Sequence, residues 1–154
     1  MNGEPFYKNN GMTPTLEDMI KNINTFEEFE EKFSVEFLKD DDRIGNYLNE
    51  LMWKYDKDNA TISKKAGLDR SYVGNIIRGK KNNPQRDALI AICLAIGTTV
   101  EEVQYLLRYA GQAPLYVRRK RDVVIWFGFM KHKDIMEVDE DLYARGYKTF
   151  LKAE

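Results

Sequence analysis

The sequence predicts an all-α protein: a five-helix domain in the middle, an acidic N-terminal helix before it and a duplicated helical hairpin after it. Three observations carry this reading. Apolar residues recur three and four positions apart through most of the 154 residues, the spacing that gathers side chains on one face of a helix. Two such segments meet about a glycine, Gly67. Residues 86–115 also lie over residues 121–150 at an offset of 35 without gaps. The expected divisions are residues 1–42, 43–117 and 118–154.

In chain order, residues 1–14 are polar and carry no helix signal. Thr25-Phe26-Glu27-Glu28 is a capping-box pattern, opening a helix with Phe26, Phe29, Phe33 and Phe37 along one side. Asp40-Asp41-Asp42 breaks it and caps the next, whose apolar face is Ile44, Tyr47, Leu48, Leu51, Met52 and Tyr55. Asp58 is a good N-cap for a short helix placing Ile62, Lys65 and Ala66 one turn apart. Gly67 supplies the positive φ of a tight turn, and Asp69 can cap the helix after it. There Tyr72, Val73, Ile76 and Ile77 form a stripe that leaves Arg70, Ser71, Gly74, Asn75 and Arg78 outward. Gly79 ends that helix, and Pro84 keeps the basic loop Lys80-Lys81-Asn82-Asn83 from continuing it.

Helices near 85–96 and 100–109 follow, with Gly97 between them and Thr99 as N-cap. The repeat rests on the identities Arg86/Arg121, Asp87/Asp122, Ile90/Ile125, Glu102/Glu137, Val103/Val138, Leu107/Leu142 and Gly111/Gly146. It places two more helices near 122–131 and 134–145. Trp126, Phe127, Phe129 and Met130 make the second copy more aromatic than the first. They read either as core docked on the central domain or as a partner surface. Arg118-Arg119-Lys120-Arg121 reads as a solvated linker, an extra phosphate grip or a contact for the acidic segment.

A formal net charge of −1 argues on its face against nucleic acid, but the distribution reverses that. Residues 57–86 hold eight Lys/Arg against Asp58 and Asp69, whereas residues 1–42 hold eleven acids against four lysines. The positive footprint therefore coincides with the glycine-turn motif. A single cysteine, Cys93, forms no internal disulfide and fits a reducing cytoplasm; in its apolar helix it reads as a core thiol. His132, the one histidine, cannot complete a zinc site with it and reads as a helix-end residue. Gly74-x-x-x-x-Gly79-Lys80 mimics a phosphate loop, yet Lys81 stands where a hydroxyl is required and no strand precedes it. No apolar run reaches the ~20 residues of a membrane span. No catalytic residue, metal or cofactor is expected.

Two short helices about a glycine turn, with the second presenting Arg and Asn outward, are a helix-turn-helix: a helix of this width fits the major groove, and those side chains read guanine and adenine edges. At Ile62-Ser63-Lys64-Lys65-Ala66-Gly67, Ser71-Tyr72-Val73-Gly74-Asn75-Ile76 and Arg78-Gly79-Lys80, residues 43 to about 96 resemble the phage-repressor/Cro (XRE) family. The resemblance implies a sequence-specific, double-stranded DNA-binding transcription regulator, cytoplasmic and bacterial or phage-borne. It puts base contacts at Arg70, Ser71 and Asn75 and a phosphate contact at Asn59. Backbone contacts are further expected at Lys64, Arg78, Lys80, Lys81 and Asn82. Ser63 stands where the family has alanine, and Ile77 where it often has glutamate. The alternative is a protein-interaction module, an antitoxin or signalling adaptor on the same scaffold. A homodimer through residues 118–154 is expected, because one motif reads too few base pairs alone.

Overall fold

In the computed structural model, which describes residues 20–33, 44–80 and 83–151, the chain divides into residues 1–40 and 41–154. The regular elements among the described residues are all helices, with no strand. In the first unit, α1 (Phe26–Phe33) opens on Thr25, whose hydroxyl accepts from the Glu28 amide at 3.1 Å. Phe26 is exposed and Phe29 half-buried. Phe37, Asp40–Asp42 and residues 1–14 lie outside the described residues.

The second unit begins with α2 (Ile44–Lys54), which buries Leu48 and Leu51. In α3 (Asn59–Ala66), Asp58 caps as expected by accepting from the Thr61 amide at 2.8 Å, and Gly67 takes φ 66° beyond the last residue. Ile62 and Ala66 are buried, but Lys65 is exposed and Ser63 turns inward instead. α4 (Arg70–Ile77) starts at Asp69, which has N-cap backbone geometry but makes no side-chain capping bond. It closes on Gly79 at φ 73°, where the Gly79 and Lys80 amides donate to the Ile76 and Asn75 carbonyls. That paired closure satisfies carbonyls the helix end would otherwise orphan.

α5 (Arg86–Ile96) is the central helix: every residue from Ala88 to Ile96 is buried. α3 packs along it. Cys93 lies there, wholly buried, and its thiol is pushed up to about 12 by desolvation. α6 (Val100–Tyr109) opens with a complete capping box between Thr99 and Glu102.

The hairpin of α7 (Lys120–Met130) and α8 (Ile135–Ala144) reproduces α5 and α6 device by device at the 35-residue offset. Asp134 and Glu137 form the same capping box as Thr99 and Glu102. Gly146 at φ 77° matches Gly111 at φ 73°. His132 takes φ 55° where Gly97 takes φ 90°. The buried Gln104 side chain bonds the backbone N–H and carbonyl of Leu115; Asp139, its counterpart, accepts from the Phe150 and Leu151 amides.

The two hairpins pair reciprocally. Arg86 grips Asp122 with two nitrogens, at 3.3 and 2.9 Å, and Arg121 grips Asp87 at 3.1 and 3.0 Å. α5 meets α8, while α6 meets α7. In a translational stack the two copies would present different faces to each other; crossed, matching contacts are the signature of a two-fold relation. The chain thus contains an internal pseudo-dimer of hairpins. Within it Ile125 and Phe129 are core and Trp126 packs partly against the core, so the expected docking onto the central domain holds for these. Phe127 and Met130 are about half-exposed, at 52% and 53%.

Candidate nucleic-acid interface

The angle and depth of α4 are set by two glycines of different kinds. α2 crosses α4 at Gly45, where an added Cβ would stand 1.9 Å from the Ile77 carbonyl oxygen and 2.6 Å from its carbon. Only glycine permits that approach, because the obstacle is backbone. Gly67, exposed in the turn, has the Leu151 side chain against one side, 2.5 Å from where a Cβ would stand. The segment after α8 therefore braces the turn between α3 and α4.

Asn59, at the start of α3, ties the two motif helices together. Its Oδ1 accepts from the Ser63 hydroxyl at 2.6 Å, and its Nδ2 donates to the Arg70 carbonyl at 3.3 Å. Serine at position 63 is thus accommodated by a partner one turn back. The Asp58 carboxyl, which caps the same helix, is held below the usual carboxylate range by its hydrogen bonds from Thr61.

On α4, Arg70, Ser71 and Arg78 are exposed and Asn75 half-buried, as an outward face requires. Gly74 departs from expectation: it is buried, lying under the Arg78 guanidinium and the Asn59 amide, which a Cβ would meet at 3.1–3.4 Å. The Arg78 guanidinium folds back along the helix to donate to Asn75 Oδ1 at 3.0 Å. The structure therefore brings Asn59, Arg70, Gly74, Asn75 and Arg78 into one cluster. Lys64 and Lys80 are exposed beside it. Lys81 and Asn82 lie outside the described residues.

Behind this surface, Glu102 fastens α2 to α6. Its carboxylate accepts from Lys54 Nζ at 2.8 Å and from the Tyr55 hydroxyl while capping Thr99. Burial raises the Glu102 carboxyl, but the bonds from Lys54, Thr99 and Tyr55 outweigh it and hold the group below its ordinary range. Sequence reasoning missed Gly45, Glu102 and Leu151. Glycine inside an otherwise apolar-striped helix was the one available signal, at Gly45.

No helix among the described residues is long and apolar enough to cross a membrane, and no group of three or more metal-ligating side chains occurs among them. No curated protein and no solved structure matches the chain. Residues 50–103, about a third of the chain, match a protein family described as helix-turn-helix. The match spans α3, α4 and α5, with the end of α2 and the start of α6, and so covers both helices of the exposed Asn59–Arg78 cluster. The chain carries a helix-turn-helix domain of the Cro/repressor type, a DNA-binding class.

Proposed function

We propose that the protein is a sequence-specific regulator of transcription that lays α4 in the major groove of duplex DNA. The observation that carries this is the exposed edge of α4. Arg70, Ser71 and Asn75 stand outward there on a helix fixed by backbone contact at Gly45, beside Lys64, Arg78 and Lys80. Arg70, Ser71 and Asn75 select bases; Asn59, Lys64, Arg78, Lys80, Lys81 and Asn82 hold the phosphates. Asn59 retains one amide hydrogen beyond its bond to Arg70, enough for one phosphate oxygen. This is a binding role, not a catalytic one.

Enrichment of genomic fragments on the purified protein tests the reading and names the site together. With that site in hand, Arg70→Ala or Asn75→Ala should weaken it by about 1–3 kcal/mol and leave random duplex almost unchanged. Equal losses on both would show a backbone grip without readout.

One observation favours the second reading, a protein-interaction module. Arg78 occupies Asn75 Oδ1 and Gly74 offers no side chain, which leaves α4 lightly furnished. Absence of duplex binding at low salt would establish that alternative.

Two copies are proposed to bind together. Phe129 is buried and leaves the set of anchors. The remaining surface is the outer side of α7 and α8, where Phe127, Met130, Met136 and Tyr143 are exposed. Light scattering on the full chain and on Phe127→Ser/Met130→Ser checks it. A monomeric full chain, or an unaltered dimer in the variant, refutes the assignment.

A further inference from the structure

Resting on the DNA reading above, we infer that Arg118, Arg119 and Lys120 form a second phosphate-gripping surface outside the helix-turn-helix, at the entry of α7.

Arg118-Arg119-Lys120-Arg121 is not one homogeneous cluster. Arg121 turns inward, with its terminal nitrogens on Asp87 and its Nε on the Lys148 carbonyl at 2.9 Å. Arg118, Arg119 and Lys120 are all exposed and make no side-chain hydrogen bond or ion pair among the described residues. The nearby carboxylates do not neutralise them. Asp122 is buried and taken by Arg86 and the Tyr116 amide, and Asp87 is taken by Arg121.

The internal repeat shows that this charge is no part of building a hairpin. At the 35-residue offset, positions 118–120 correspond to Asn83-Pro84-Gln85, which is neutral. The two hairpins share their caps, ion pairs and buried polar clamps, yet only the second carries three cations at its entry.

Placement decides the partner. Gln112 Nε2 donates to the Pro84 carbonyl at 3.0 Å, and Arg86 donates to the Ala113 and Pro114 carbonyls. These bonds lay residues 112–116 against the loop that leaves α4. Lys80 is four residues from Pro84, hence at most about 14 Å away, and Arg118 is at most about 7 Å beyond Tyr116. The reciprocal Arg–Asp pairs put the entry of α7 beside the entry of α5. The exposed cations at the start of α7 therefore stand beside the entry of α5, the helix that follows the loop out of α4. A duplex presents one phosphate charge per about 1.7 Å of its axis, so a rigid polyanion held at α4 has phosphates within reach of these flexible side chains.

Anisotropy of a labelled duplex of about 30 base pairs, titrated with salt, tests the inference on the full chain. The variant Arg118→Gln/Arg119→Gln/Lys120→Gln should lose two or more contacts. Its log–log salt slope should fall by about 1.8 and its affinity near 0.1 M salt by about 60-fold, alike on preferred and random sequences. Exchange to Arg118→Lys/Arg119→Lys/Lys120→Arg should restore the slope, which a structural role would not. A glutamine variant that binds like the wild type, or a charge-preserving variant that stays weak, overturns the second grip while leaving α4 in place. A wild type that binds no duplex at low salt overturns the DNA reading itself.

Discussion

The same ion pair is built twice in this chain at different depths, which allows a controlled test of what burial does to it. The Asp122 side chain is 4% exposed and that of Asp87 is 30%, while both arginine side chains are 22% exposed. Asp122→Ala leaves Arg86 with the Ala113 and Pro114 carbonyls but with no carboxylate among the described residues, and leaves the Tyr116 amide without the acceptor it has at 3.0 Å. Breaking a buried pair from one side strands a charge and should cost about 3–4 kcal/mol. Asp87→Ala leaves Arg121 with the Lys148 carbonyl, the Phe150 ring at 5.0 Å and water, and should cost about 1 kcal/mol. For a chain of this length, 1 kcal/mol corresponds to about 2–4 °C in melting temperature. The melting point should thus drop by about 10 °C for Asp122→Ala and about 3 °C for Asp87→Ala, checked by thermal unfolding followed through tryptophan fluorescence. Removing Arg86 together with Asp122 should recover part of the loss, since no charge is then stranded. Equal losses at the two aspartates, or a double variant no better than Asp122→Ala, would refute the argument from depth.

Three further outcomes are expected. Gly45→Ala should destabilise by about 3 kcal/mol, because the new Cβ meets backbone at 1.9 Å and α2 must leave α4; Gly74→Ala, whose neighbours are side-chain tips, should cost under about 1 kcal/mol, and urea midpoints of the two compare them. His132→Gly should stabilise by about 1 kcal/mol, since position 132 holds a left-handed φ of 55° that its counterpart Gly97 adopts freely, and the melt should rise accordingly. Cys93, with its thiol raised to about 12 by burial, should resist a thiol reagent at pH 8 in the native state and react at once in urea.

The N-caps Asp58 and Thr99 and the 35-residue offset were legible because each is written locally, as were glycines at fixed distances. The outward edge of α4 followed from the stripe Tyr72, Val73, Ile76 and Ile77 in the same way. What escaped the sequence depends on a partner distant along the chain. Nothing near Gly45 announces that Ile77 will press its carbonyl there, and nothing near Gly67 announces Leu151. Gly74 was misread because helical spacing places it on the exposed edge, whereas its burial comes from the Arg78 and Asn59 side chains folding over it. Lys65 sits one turn from Ile62 by counting, but a lysine has no acceptor in that core, and Ser63 enters because Asn59 receives its hydroxyl. The reciprocal pairing of Arg86 with Asp122 and Arg121 with Asp87 was present in the aligned repeat as two adjacent identities. Its crossed geometry is a property of three dimensions only.

That crossing bears on how the molecule assembles. Matching faces of two identical elements ordinarily come together between two chains, where the contact must offset the lost freedom of association. Here one chain supplies both hairpins through a linker, residues 110–119, so the pairing holds at any protein concentration. The faces that α5 and α6 present to α7 and α8 are consequently occupied and unavailable to another copy. The two copies differ in what covers them next: Ile92 and Ala95 of α5 are 1% and 4% exposed, while Phe127 and Met130 at the same register of α7 are about half-exposed. α3 is the helix that covers α5, and the second hairpin comes without a helix-turn-helix of its own. Two hairpins and one helix-turn-helix among the described residues give the internal pairing of a dimer with the motif of a monomer. On the DNA reading proposed above, further affinity then comes from a second chain docked on that outer face, which also adds selectivity, from phosphates gripped beyond the groove, which adds none, or from both. The two routes separate in solution: the first makes affinity depend steeply on protein concentration, whereas the second shows only in the salt slope.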